Sequence, residues 1–354
     1  MIEVGQHTLP DGRAVEVVEI EGGGLRARVA TLGAALLTLE APDAEGRLED
    51  VTLGHATLAG YVDDPAFLGV AVGRTAGRIR GATIEVDGTT HRLDPNNGAN
   101  TLHSGPSGLH AQAWTLDAVD AASVMLSARS PAGAGGYPGD LDVRLRYTLA
   151  EAEGGGGALR LDWEATASAP TPVALTHHAY WNLGGPEAAT VLDHTVQSSA
   201  DRYVVLADDL TPTGATLPVE GTPFDLRTPT RLGGVVCSGH PQIRIASGLD
   251  HDLCVPPRGG RQVGLRHVAR VEAAGRAMDV WTTEPCVHLY DGAFLDVAEG
   301  KGGAYGPHAG LAIETQPPPD ALAHESFPDI LLRPGETFRS QTVYGFSGVE
   351  KKSR

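Results

Sequence analysis

Cysteine is scarce in this chain. The 354 residues contain three, Cys237, Cys254 and Cys286, widely spaced and odd in number. That argues against a disulfide framework and a cysteine zinc site, and it predicts a reducing, cytoplasmic setting. Long apolar runs are missing too. None approaches the ~20 residues that a bilayer-spanning helix needs, so no membrane partner is expected. Residues 1–10 are mixed and polar, without the basic segment and apolar stretch of a secretion signal. Basic residues are in deficit, 27 Lys and Arg against 44 Asp and Glu, which leaves a net charge of −17. An acidic surface repels phosphate backbones and anionic lipid, so no nucleic acid is expected as a partner, and a neutral or cationic ligand suits it better.

The common catalytic signatures are absent as well. There is no Gly-x-x-x-x-Gly-Lys phosphate loop, no His-Glu-x-x-His and no Gly-x-Ser-x-Gly elbow. The glycine-rich stretch 133–139 lacks the lysine and a following helix, and reads as a turn. Fourteen histidines invite a metal reading. Yet the adjacent His177 and His178 project to opposite sides of a strand, and no spaced ligand cluster accompanies them. No metal and no other cofactor is expected.

What is present is alternation. Residues 141–149 switch between apolar and polar without a break, and after the glycines 154–157 the pattern resumes, with Leu159, Leu161, Trp163 and Ala165 on one side. Two such runs joined by a glycine loop predict an antiparallel hairpin with one solvated face. Asp87-Gly88 predicts a second, tight hairpin. Near the end, Phe338, Ser340, Thr342, Tyr344 and Phe346 share one face beyond a Pro334-Gly335 turn. The 46 Gly and 24 Pro supply the many turns that short strands require. Helical turns are expected near 56–62 and little elsewhere. The reading is an all-β chain, a large antiparallel β-sandwich. Without an internal repeat or a Pro- or Ser-rich linker, residues 1–354 read as one domain, fraying at 350–354.

Polar residues at strand ends carry the candidate chemistry. Arg74 and Arg78, four apart, could clamp hydroxyls or steady an oxyanion; a surface pair satisfying loop carbonyls is the plainer alternative. His103 lies just beyond the Asn96-Asn97-Gly98 turn, able to bond a ligand hydroxyl or simply exposed. Alternation sets His178, Tyr180 and Asn182 on one face, a row that suits a polar cleft, and His177, Ala179 and Trp181 on the other. Trp181 is then either core or a stacking platform for a sugar. Residues 248–252, with Asp250, His251 and Asp252, read as a turn of a kind mostly solvated. Glu314 follows the apolar start Leu311-Ala312-Ile313 and shares a face with Gln316. Burying a carboxylate there is costly unless it is paired, so it is either a structural ion pair or a functional acid.

In this order, these strings resemble the galactose mutarotase (aldose 1-epimerase) family. Asp11-Gly12-Arg13, Leu53-Gly54 with Tyr61, Gly136-Tyr137-Pro138-Gly139, Pro212-Thr213-Gly214, Gly221-Thr222-Pro223-Phe224-Asp225 and Thr283-Glu284-Pro285 extend the likeness over nearly the whole chain. The resemblance implies a galactose mutarotase-like supersandwich that opens and recloses an aldose ring. The family's general acid falls on His178 and its general base on Glu314. Its sugar-binding residues fall on His103, Arg78 and Asp250, and His288 takes the place of a glutamine common in the cleft. This chain also departs from the family in having Gly77 where asparagine usually precedes the arginine, His177 and Ala179 around the acid, and Pro317-Pro318 before Pro319-Asp320. Galactose or glucose is the implied substrate. Two other readings share the fold: an epimerase for hexose 6-phosphates, which would want extra basic residues near the cleft, and a catalytically silent sugar-binding protein. Monomer and homodimer are both compatible with the sequence.

Overall fold

The structure, a computed structural model, describes residues 3–256 and 264–350; the expected frayed tail lies outside the described residues beyond Glu350. Nine strands form the largest sheet, in the order Thr115–Val119, Ser123–Ser130, Leu141–Glu151, Gly157–Ala167, Phe338–Gly348, Arg276–Thr282, Arg266–Ala273, Thr195–Ser198 and Thr230–Arg231. Six form a second sheet: Tyr180–Trp181, Leu311–Gln316, Cys286–Tyr290, Asp250–Cys254, Arg202–Leu206 and Pro212–Pro218. Five N-terminal strands, from Glu3–Thr8 to Leu48–Asp50, make a third. Neighbouring strands in these sheets run antiparallel.

Alternation explains how the sheets stack. The predicted long hairpin pairs Leu145 with Trp163, burying Leu141, Val143, Leu145 and Tyr147 while Asp142, Arg144 and Arg146 face out. Thr83–Val86 and Thr89–Arg92 form the tight hairpin, turned by Asp87 and Gly88 at φ 48° and 78°. In Phe338–Gly348 the five residues assigned to one face are all buried. Across the sandwich, the Trp181 ring lies 4.9 Å from Tyr344 and 5.6 Å from Phe346, and the Tyr344 hydroxyl donates to the Ile313 carbonyl at 2.9 Å. Trp181 is therefore core, not a sugar platform.

The expected helical turn forms at Leu58–Tyr61, and two five-residue helices, Leu232–Val236 and Pro241–Ile245, are additional. No helix among the described residues is long and apolar enough to cross a membrane. Residues 250–254 correct the sequence reading: they are a fully buried strand, not a solvated turn, because both neighbouring strands pair with them.

The two arginines four apart separate completely. Arg74 is 1% exposed and knits three loops, donating to the Ser130 hydroxyl and to the carbonyls of Ser130, Pro131 and Pro138, and to the Thr171 hydroxyl, all at 2.8–3.0 Å. Burial holds its pKa down to about 10, so it remains a cation solvated by the protein's own carbonyls. Arg74→Ala strands those acceptors, each at about 1–3 kcal/mol. The expected result is a loss of roughly 3–5 kcal/mol in urea unfolding, not restored by Arg74→Lys, whose ammonium cannot reproduce the planar fork.

Candidate active site

Three adjacent strands of the six-stranded sheet lay the floor of a cleft of about 310 Å³, near the lower end for small-ligand sites. On Leu311–Gln316, Leu311 and Ile313 point into the core, so alternation sends Glu314 and Gln316 to the opposite, cleft side. His288 is the cross-strand partner of Glu314, and Asp252 is the partner of His288. Asp250 lies two residues from Asp252 on the same face.

The walls come from loops. His178 lies between the short strands Thr176–His177 and Tyr180–Trp181, tied by its amide to the Val70 carbonyl at 2.9 Å, and its carbonyl accepts from Gly69 at 3.0 Å. His177 turns the other way into the core, against Tyr147. His103 follows Thr101–Leu102 and exchanges two bonds with Gly77: its amide donates to the Gly77 carbonyl at 3.1 Å, and the Gly77 amide donates to its Nδ1 at 3.2 Å. That bond assigns the ring proton to Nε2. Gly77 has φ 71°, and a Cβ there would lie 2.3 Å from Pro319 Cγ. The asparagine usual in the family therefore does not fit unless Pro319 moves. Arg78 donates from Nε to Asn97 at 3.2 Å and from Nη1 to Asp250 at 3.4 Å.

All six residues singled out in the sequence, Arg78, His103, His178, Asp250, His288 and Glu314, thus line one cleft. Asn182, the third of the polar row, does not: it spans the carbonyls of Ala188 and Ala309 as a loop brace. The sequence reading passed over Asp252 because it took 250–252 for a turn; read as a strand, alternation would have paired it with Asp250. It also passed over Phe294, the aromatic at the mouth, 54% exposed and stacked on Tyr290. Nothing in its local sequence signals that position.

His178 Nε2 and Glu314 Oε1 are 3.4 Å apart and both residues are buried, at 4% and 2% exposure. Burial pushes His178 down to about 4 and Glu314 up to about 8. At neutral pH the pair therefore holds one proton, resting on the carboxyl. The roles implied by the resemblance, Glu314 as base and His178 as acid, require that proton on the imidazole instead. The carboxylates are spent elsewhere. Asp250 Oδ1 lies 2.9 Å from His288 Nε2, and Asp252 Oδ2 lies 3.1 Å from Nδ1, so His288 is held well above its ordinary pKa. Nε2 is hydrogen-bonded to Asp250, whereas Nδ1 lies within ion-pair range of Asp252 without forming a hydrogen bond.

His103, His178 and Glu314 each bring a donor atom within 4.8 Å of the others, a grouping a metal could use. The electrostatics oppose it, because the His288 imidazolium acts on all three groups and would repel a divalent cation. Glu314 Oε2 and His178 Nδ1 make no hydrogen bond within the protein. A small polyhydroxylated ligand would satisfy such atoms, and a pair holding one proton between two groups can move protons at two neighbouring oxygens.

A sequence profile for aldose 1-epimerase matches residues 16–345. The chain is 40% identical over 338 residues to galactose mutarotase of Homo sapiens, covering 95% of each chain. It is 32% identical over 343 residues to aldose 1-epimerase of Escherichia coli K12, covering 95% of this chain and 96% of that one. Among solved structures, an aldose epimerase homologue from C. elegans superposes with a TM-score of 0.85 at 33% identity, covering 98% of this chain and all of that one. Galactose 1-epimerase from Lactobacillus acidophilus gives 0.83 at 25% identity over 99% of both chains.

Proposed function

Since the chain belongs to the aldose 1-epimerase family and is an isomerase that interconverts the anomers of an aldose, we propose that His178 and Glu314 carry its two proton transfers while Arg78, His103 and Asp250 hold the sugar. The observation that carries this is the 3.4 Å approach of imidazole and carboxyl inside a sugar-sized cleft. Glu314 takes the proton of the anomeric hydroxyl as His178 protonates the ring oxygen. The C1–O5 bond breaks and the open aldehyde forms. Rotation about C1–C2, then the reverse proton flow, closes the other anomer. The sugar's hydroxyls supply hydrogen bonds to an imidazolium and a carboxylate, which favours passing the shared proton from Glu314 to His178 as the sugar binds. The protonated imidazole and the His103 Nε2–H then stabilise charge on the ring oxygen.

The substrate is a free aldohexose such as galactose or glucose. The two cations at the cleft, Arg78 and His288, already face carboxylates, so neither is spare for a phosphate. A silent binding protein would need no acid and base in contact. Residues 1–354 act as one domain, in the cytoplasm, as a monomer or homodimer. The test is polarimetry on freshly dissolved α-galactose, α-glucose and glucose 6-phosphate: fast interconversion of the free sugars is expected, and activity confined to the phosphate, or sugar binding without interconversion, would reject the reading.

Two further results are expected. Arg78→Ala raises KM by about tenfold or more, the loss of a charged hydrogen bond, with a smaller fall in kcat; unchanged constants would remove it from the site. The pH profile of kcat/KM is bell-shaped, because the pair must hold one proton. Below about 4 His178 binds a second, and above about 8 Glu314 loses the only one. A profile flat from pH 3 to pH 10 would contradict this assignment.

A further inference from the structure

Behind the reacting pair runs a string of alternating charge. Gln316 Nε2 donates to Asp252 Oδ1 at 3.0 Å, and Asp252 Oδ2 faces His288 Nδ1 at 3.1 Å. His288 Nε2 donates to Asp250 Oδ1 at 2.9 Å, and Asp250 Oδ2 accepts from Arg78. Asp252 is 1% exposed and Asp250 6%. A carboxylate buried that deeply needs a cationic partner, and for Asp252 the cation in contact is His288. The imidazole lies between two carboxylates, its Nε2 hydrogen-bonded to Asp250 and its Nδ1 within ion-pair range of Asp252, a setting that favours the protonated ring. In the strand ladder this doubly protonated ring stands directly beside Glu314.

We propose that Asp252 is a positioning residue which, by holding His288 as a permanent imidazolium beside Glu314, sets the proton balance of the His178–Glu314 pair. The inference rests on the acid/base reading above and adds to it. The side-chain partners of Asp252 are His288 and Gln316 rather than His178 or Glu314, so it acts through His288. The groups that face His288 are Asp250 and Asp252 on one neighbouring strand, Glu314 on the other, Tyr290 on its own strand, and Arg78, His103 and His178 across the cleft. The imidazolium favours the ionised form of Glu314 and the neutral form of His178. It therefore draws down the pH at which each titrates, and without it the glutamate would hold its proton still more firmly than burial alone dictates. A neutral glutamine in place of His288 would lack this effect, so the cleft would work over a different pH range.

The first test needs no variant. Histidine ¹⁵N spectra of the intact protein are expected to show His288 carrying both ring protons from pH 5 to pH 8; a neutral His288 at pH 7 overturns the proposal. In Asp252→Asn the ring is expected to lose a proton within that window. In His288→Gln both limbs of the kcat/KM profile are expected to move to higher pH by about 1 unit or more, the shift a charge at this range causes. Because His288→Gln leaves Asp252 buried without its cation and folding could suffer, the double variant Asp252→Asn/His288→Gln is measured beside it. It removes both charges, and the limbs move the same way because His288 acts on Glu314 more strongly than Asp252 does. Limbs that coincide with those of the unmodified enzyme overturn the proposal while leaving the acid/base assignment intact. Absence of interconversion in the unmodified enzyme would instead sink the assignment itself.

Discussion

Glu314→Gln is expected to lower kcat for anomer interconversion by about 10²–10⁴-fold, with KM little changed. Glutamine matches the side chain in shape and keeps an acceptor and a donor, but it cannot take a proton from the anomeric hydroxyl. Stability should behave oppositely to rate. Burial keeps Glu314 protonated up to about 8, so the native group near neutrality is already an uncharged acid. Linkage gives the sign. A carboxyl whose folded pKa is raised contributes stability that is fully present below its unfolded pKa and is lost as pH rises toward 8. The amide does not lose it. The thermal midpoint of Glu314→Gln should therefore equal or exceed that of the parent at pH 7 and exceed it more clearly at pH 9. A well-folded variant with near-parental rate would remove Glu314 from the chemistry.

The second large effect is at His178. His178→Asn is expected to cost about 10²–10⁴-fold in kcat, because an amide cannot deliver a proton to the ring oxygen. Unlike the glutamate variant it also loses packing. The His178 ring stands 5.2 Å from His103, 4.9 Å from Tyr180 and 5.9 Å from Phe67, and a smaller side chain leaves that aromatic wall incomplete. A cost of about 1 kcal/mol in urea unfolding is expected with the rate loss. The residual activity should also lack the acid limb near pH 4, since the group that takes up the second proton is gone. If that limb persists, another residue is the one titrating. Both variants are to be compared with the uncatalysed rate in the same buffer, which sets the floor for the measurement.

The separation of Arg74 from Arg78 shows where reading the chain reached its limit. Both sit in one short string, and nothing local tells them apart. One ended among carbonyls and hydroxyls of two distant segments and the other over a cleft, because the segment between them turns at Gly77 and because residues 130–138 and 171, far away in sequence, close over Arg74. Asp250 and Asp252 show a different limit. An acid–histidine–acid run after a glycine has the composition of a surface turn, and only pairing on both sides made it a buried strand. By contrast, His177 and His178 were separated correctly by alternation alone, since adjacent residues on extended backbone must face opposite ways.

What the amino-acid order determined by itself was periodicity: the strands, the two hairpins, the inward face of Phe338–Gly348, and the side of its strand on which Glu314 stands. These are local consequences of backbone geometry, and any all-β packing would respect them. The charge state of the site was decided only by the tertiary structure. Desolvation and the approach of groups from separate strands and loops put a proton on Glu314, took one from His178 and locked one onto His288. Electrostatic energy in a buried cleft depends on who ends up beside whom, and that is a property of the fold as a whole, not of any one segment.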